Sequence, residues 1–135
     1  MDMKDEKIRI VDYKTGKDKI DFRNIEELFD KEKRDRRKAI MQVLMYAMMV
    51  TDEDHLPNPI VPTIYRVQEL FSPQKFRADI KMGFSPLDDY TQIDQEFRKE
   101  FDKCLQEIFN PDIPFVQSAH IGEDGPCSYL SLIHI

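Results

Sequence analysis

The sequence predicts a mixed fold, α/β or α+β, in a single domain. Three observations predict it. Short β-type runs, KIRIVDYK and IVPTIYRVQEL, are separated by helical patterns. The run AIMQVLMYAMMV is too long for a strand and reads as a buried helix. A later stripe, Ile93, Phe97, Phe101, Leu105 and Ile108, recurs at helical spacing. With 135 residues, the chain supports one domain with a real core and is short for two.

In chain order, Asp5 and Glu6 read as solvent-facing turn residues, and residues 7–14 as a buried strand that ends at the Thr15-Gly16 turn signal. Alternation puts Ile8, Ile10, Asp12 and Lys14 on one face of the strand, and Arg9, Val11 and Tyr13 on the other. Asn24 followed by Glu27 resembles a capping box for a short helix carrying Ile25, Leu28 and Phe29. A longer helix is expected from about Glu32 to Thr51, apolar almost all round in its second half and therefore central. HLPNPIVPT, with three prolines, is a connection. IVPTIYRVQEL reads as a strand that Pro62 keeps near an edge or its own beginning, and FRADIKM as another. Thr91 is the expected N-cap of a helix to about Phe109, stopped by Asn110-Pro111, whose apolar stripe is core with Cys104 as a small apolar neighbour. No repeat or low-complexity block interrupts this order.

Charge and cysteine content narrow the function. No apolar run approaches the roughly 18 residues of a membrane span, and no signal segment opens the chain. Cys104 and Cys127 are too few for a disulfide scaffold or a zinc site, so a reducing, cytoplasmic location is the default. A net charge of −6 argues against coating nucleic acid by bulk attraction. Contact with phosphate would have to be local or metal-mediated. The one basic block, KEKRDRRK at residues 31–38, reads most simply as a solvated helix start.

An apolar strand face ending in Asp12 and Lys14 makes either a surface ion pair or a site. Gln42 and Tyr46, four residues apart on an otherwise apolar helix, share a face and need partners. Lys38 and Arg34 continue that row toward the helix start. The row is either a polar lane leading inward to a site, or a satisfied core Gln and Tyr with exposed basic residues below them.

Taken together, Asp12-Tyr13-Lys14-Thr15 at a strand end and Gln42 to Tyr46 on the following helix resemble the PD-(D/E)XK nuclease superfamily. The resemblance is in particular to the RecB-like and AddB-type nuclease domains of DNA-repair helicase complexes, with their D-Y-K-[TS] and Q-x-x-x-Y motifs. NPDIPFVQ and GPCSY look like the AddB-type C-terminal region. The resemblance implies a restriction-endonuclease-like core and Mg²⁺- or Mn²⁺-dependent hydrolysis of DNA phosphodiesters. Asp12 and the Tyr13 carbonyl would be metal ligands. Lys14 would orient or deprotonate the attacking water, and Gln42 and Tyr46 would hold the lysine, the metal water or a phosphate. Lys38 and Arg34 would position DNA phosphates. DNA is the implied partner, with a helicase subunit or a helicase domain of the same protein.

The chain departs from this pattern at both ends. The second metal acid of the family comes from a strand before D-Y-K, in a G-x-x-D-R-x-D-like run, and MDMKDEKIRI begins just past that place. Asp2 would be at most its last, non-ligand acid. The expectation is a core truncated at the N-terminus, inactive alone, with residues 1–130 a partial domain and 131–135 a non-native tail. Cys127 stands where AddB-type domains place a [4Fe–4S] ligand, but position 130 is Leu, and one cysteine cannot hold a cluster that takes four thiolates, so the resemblance implies Cys127 as a ligand only if the full-length protein carries the cluster. His55, His120 and His134 read as carrying no function. Two rival readings remain, a non-catalytic DNA-end-binding module of the same fold and a protein-interaction domain in which Asp12–Lys14 is only an ion pair.

Overall fold

A computed structural model describes residues 2–4, 6–33, 35, 37–54, 59–72, 74 and 76–116. Strand β1 (Asp2–Lys4) turns through Glu6, whose φ of 61° gives the left-handed residue of a tight turn, into β2 (Lys7–Lys14). Then come β3 (Asp21–Phe22), helix α1 (Ile25–Phe29) and helix α2 (Lys38–Asp54). Next follow β4 (Ile60–Arg66), the short helix α3 (Val67–Leu70), the β5–β6 hairpin (Lys81–Met82 and Ser85–Pro86) and helix α4 (Asp94–Ile108).

The sheet that matters for function has the order β1-β2-β4. β1 runs antiparallel to β2, whereas β4 runs parallel to it, with Ile8 opposite Ile60, Asp12 opposite Ile64 and Lys14 opposite Arg66. Parallel neighbours need a crossover, and α2 supplies it. Its Ile40, Val43, Leu44 and Ala47 are fully buried, as are Ile60 and Ile64 of β4. Each Ile, Val or Leu among them contributes roughly 1.5–3 kcal/mol relative to exposure. This burial fixes α2 across the sheet face that carries Asp12 and Lys14. A second small sheet, β3-β5-β6, closes one end. Its hairpin turns at Gly83, where φ is 62°.

Several elements differ from their sequence expectation. α2 starts at Lys38 rather than near Glu32, because the charges before it are drawn into tertiary pairs. Lys31 reaches Glu107, Lys33 reaches Glu27, and Lys19 and Arg37 both hold Asp35. Nor is α2 buried all round: Tyr46 and Met49 are exposed, since one helix face lies on the sheet and the other does not. The strand expected over 60–70 stops at Arg66. Val67–Leu70 is helical, with Arg66 paired to Glu69 across that turn. FRADIKM shrinks to a bridge at Asp79 and the two residues of β5, although Ile80 points inward as its alternation requires.

Thr91 does not cap α4. It lies in a 3₁₀ turn (Tyr90–Gln92) capped by Asp89, which accepts from the Thr91 backbone N–H at 3.0 Å, and Ile93 precedes α4 without a side-chain cap. The α4 stripe is core only at its start. Ile93 and Phe97 are buried, Phe101 and Leu105 are half-buried, and Ile108 is exposed. Asn24 caps α1 as expected, accepting from the Glu27 N–H at 3.0 Å. The expectations for Arg34, His55, His120, Cys127, His134 and the tail at 131–135 lie outside the described residues.

Candidate active site

Two elements build the site, the carboxyl end of β2 and the first two turns of α2. Alternation along β2 puts Asp12 and Lys14 on the α2 side. Tyr13 points to the opposite face, where its ring meets that of Tyr65 edge-on at 5.4 Å. On that face Arg9 donates to the Tyr65 hydroxyl at 2.8 Å. The two sides of the strand therefore differ in character, one aromatic and one charged.

On the charged side, Lys14 Nζ lies 3.0 Å from Asp12 Oδ2 and donates to Gln42 Oε1 at 2.6 Å. Gln42 Nε2 in turn donates to Tyr46 Oη at 2.6 Å. The chemistry of these groups sets the direction of the line. An ammonium can only donate, so the Gln42 carbonyl must face it and the amide nitrogen must face Tyr46. Tyr46 then receives through its oxygen, and its own O–H proton is directed elsewhere. Tyr46 itself is 41% exposed.

Asp12 has unused capacity. Its side chain is only 14% exposed, and Oδ2 is buried with no hydrogen-bond partner. The ammonium is close enough for an ion pair but is not aligned as a hydrogen-bond donor. A buried carboxylate oxygen of this kind fits a hard cation, which takes oxygen ligands without needing a donor hydrogen. Among the described residues no group of three His, Cys, Asp or Glu side chains comes together.

The remaining candidates fall differently. Lys38 is the first residue of α2, exposed, one turn before Gln42, and lines a cleft with Gly16, Lys17 and Lys19. It is not part of the bonded line. Arg34 lies outside the described residues, so the helical row begins at Lys38.

Beside the line stand residues that the sequence reading did not single out. Arg66 ends β4 opposite Lys14, with Nη2 at 2.7 Å from Glu69 Oε2 and Nη1 donating to the Asp18 carbonyl at 3.4 Å. Gln68 Nε2 donates to the Thr15 carbonyl at 2.9 Å. Together they tie the segment after β4 to the turn after β2. Both parallel strands end in tyrosine followed by a cation, Tyr13-Lys14 and Tyr65-Arg66, and that repeated ending was the available signal.

A further cluster holds the fold and not the site. Arg98 Nε donates to both Asp94 oxygens at 2.9 Å, Nη1 donates to Asp52 at 3.1 Å and Nη2 to the Met48 carbonyl at 3.2 Å, joining α4 to the end of α2. Those carboxylates push the guanidinium pKa up. Burial, with Asp94 nearby, pushes the Tyr90 phenol well above its ordinary value. Near the start of α2, hydrogen bonds from Lys19 and then Arg37 hold the Asp35 carboxyl down at about 2.

No described helix is long and apolar enough to cross a membrane. A family model described as the PD-(D/E)XK nuclease superfamily matches residues 1–131. No curated protein and no solved structure matches the chain.

Proposed function

Because the chain belongs to the PD-(D/E)XK nuclease superfamily, we propose that Asp12, Lys14, Gln42 and Tyr46 form one side of a metal-dependent DNA phosphodiesterase site. The observation that carries this is the directed line from Lys14 through Gln42 to Tyr46, with Asp12 at its head. A merely satisfied core Gln and Tyr would not need a strand-end ammonium as their partner.

Asp12 and the Tyr13 carbonyl would hold Mg²⁺ or Mn²⁺. When bound, such a cation offsets phosphate charge and makes a nucleophilic hydroxide available near neutral pH. The protein's own residues supply positioning. Gln42 fixes the Lys14 ammonium beside the Asp12 carboxylate, where it orients the attacking water and accepts or balances charge at the scissile phosphate. Tyr46, its oxygen occupied by Gln42, turns its O–H outward to a phosphate oxygen. Lys38 stands one turn further along as a backbone-phosphate contact.

The second metal carboxylate is proposed to come from a strand preceding Ile8, and the chain alone to be inactive without it. The wider context is proposed on the D-Y-K-T and Q-x-x-x-Y motifs, namely a RecB-like or AddB-type nuclease acting in DNA repair and recombination beside a helicase. The rival reading, a non-cleaving DNA-end-binding module, draws on one observation, that no group of three His, Cys, Asp or Glu side chains comes together among the described residues. Mg²⁺-dependent release of labelled nucleotides from linear DNA, measured on the chain extended by its native upstream sequence, tests the proposal. Activity lost in Asp12→Asn supports it, and activity unchanged in that variant removes it.

A further inference from the structure

Arg66 and Lys14 are register partners at the carboxyl ends of parallel strands, so both cations lie on the α2 side and at one end of the sheet. Sheets of this kind take their ligands at the carboxyl ends of their strands. The Arg66 guanidinium is held there incompletely. Its side chain is 17% exposed, Nη2 meets Glu69, Nη1 makes a long bond to the Asp18 carbonyl, and Nε is buried without a hydrogen-bond partner. Two other described arginines put Nε to use. Arg37 Nε donates to the Asp21 carbonyl at 2.6 Å, and Arg98 Nε donates to the Asp94 carboxylate.

Asp12 is the complementary case. Two residues before Lys14, its Oδ2 is a buried acceptor without a donor. One strand end therefore carries a carboxylate oxygen and a guanidinium Nε that each lack a hydrogen-bond partner, although both groups have an ion-pair neighbour. A phosphate diester bound beside a divalent cation satisfies both at once. Nε and Nη2 also form the guanidinium edge that grips phosphate bidentately, and Glu69 holds that edge through Nη2 alone.

We propose that Arg66 is a second phosphate-binding residue of this site, donating from Nε and Nη2 to a DNA phosphate, and that Glu69 competes with that phosphate for the guanidinium. The inference rests on the nuclease reading above. In the free protein Glu69 neutralises Arg66. On binding DNA, the carboxylate yields the Nε–Nη2 edge and moves to solvent, to which it is already 26% exposed.

The test is fluorescence anisotropy of a short labelled DNA duplex with the 135-residue chain, with Ca²⁺ replacing Mg²⁺ so that nothing is cleaved. Arg66→Met should weaken binding about tenfold and lower the slope of log affinity against log salt by about 0.9, the contribution of one phosphate contact. Glu69→Gln should tighten binding several-fold, and the gain should vanish in the Arg66→Met/Glu69→Gln double variant. A damaged fold cannot raise affinity, so Glu69→Gln decides the matter even if Arg66→Met unfolds. If Lys14→Met weakens binding while Arg66→Met changes neither affinity nor slope, or if Glu69→Gln weakens binding, the pair is only a brace and the nuclease reading stands without it. If the parent chain does not bind DNA, both fail.

Discussion

Lys14 and Gln42 are 28 residues apart in the chain, yet the ammonium of one donates to the amide oxygen of the other at 2.6 Å. Neither end of this bond is free to choose another orientation. Lys14 is fixed by strand alternation and Gln42 by the burial of Ile40, Val43 and Leu44 around it. The contact is therefore a consequence of the fold, and it leaves the ammonium beside Asp12.

Breaking the line at its middle should matter more than at its end. Gln42→Ala removes the acceptor that orients Lys14 and should lower cleavage by roughly 10–100-fold, the usual range for residues that orient a catalytic group. Tyr46→Phe leaves the Lys14–Gln42 bond intact and should cost less. Single-turnover cleavage rates of the two variants test the order, and a loss in Tyr46→Phe as large as that in Gln42→Ala would contradict it.

The α4 stripe should be energetically graded. Phe97 is fully buried between Phe29, Tyr90 and Phe101, so Phe97→Ala should cost about 3–5 kcal/mol. Phe101 stacks on Phe97 but is only half-buried, and Phe101→Ala should cost roughly 1–2 kcal/mol. Denaturant midpoints measure both. Equal costs would mean that the outer half of the stripe is as much core as the inner half.

Tyr90 offers a test with the opposite sign. Its ring is wholly buried, and its hydroxyl, although close to Asp94, makes no well-aligned hydrogen bond among the described residues. An unmade buried hydrogen bond opposes folding, so Tyr90→Phe should leave the denaturation midpoint unchanged or raise it. A loss above about 1 kcal/mol would show that the hydroxyl is bonded in solution.

Asp35 gives the fold a dependence on pH. Its folded-state pKa of about 2 lies below its ordinary 3.8, so the Lys19–Asp35–Arg37 contacts stabilise the fold above that ordinary value. That stabilisation is lost as pH falls from about 4 toward 2. Because Asp35 is more than half exposed, salt should screen the effect. Denaturation midpoints of the parent and Asp35→Asn should differ at pH 5 in low salt and converge near pH 2. A difference that stays constant across this range would contradict the account.

The legible parts of the molecule were those governed by local periodicity. Period-two alternation placed Asp12 and Lys14 on one face, and four-residue spacing placed Gln42 beside Tyr46. The start of α2 was not legible, because Lys31, Lys33, Asp35 and Arg37 spend their charges on partners distant in sequence, and a local pattern sees only a charged helix start. Arg66 was hidden for a related reason. Its place beside Lys14 depends on the register of two strands joined through a helix, which no spacing within one strand reveals.

The central claim is that Lys14, held by Gln42 beside Asp12, acts in phosphodiester hydrolysis. The most direct measurement is the single-turnover rate of Mg²⁺-dependent nucleotide release from labelled DNA, made on the chain extended by its native upstream sequence. The unextended chain and the extended Lys14→Ala variant are the comparisons. The account predicts that the extended protein cleaves, that the unextended chain does not, and that Lys14→Ala abolishes cleavage while retaining the parent's denaturation midpoint within about 1 kcal/mol. An extended protein whose rate is unchanged by Lys14→Ala would contradict it, even with the fold intact.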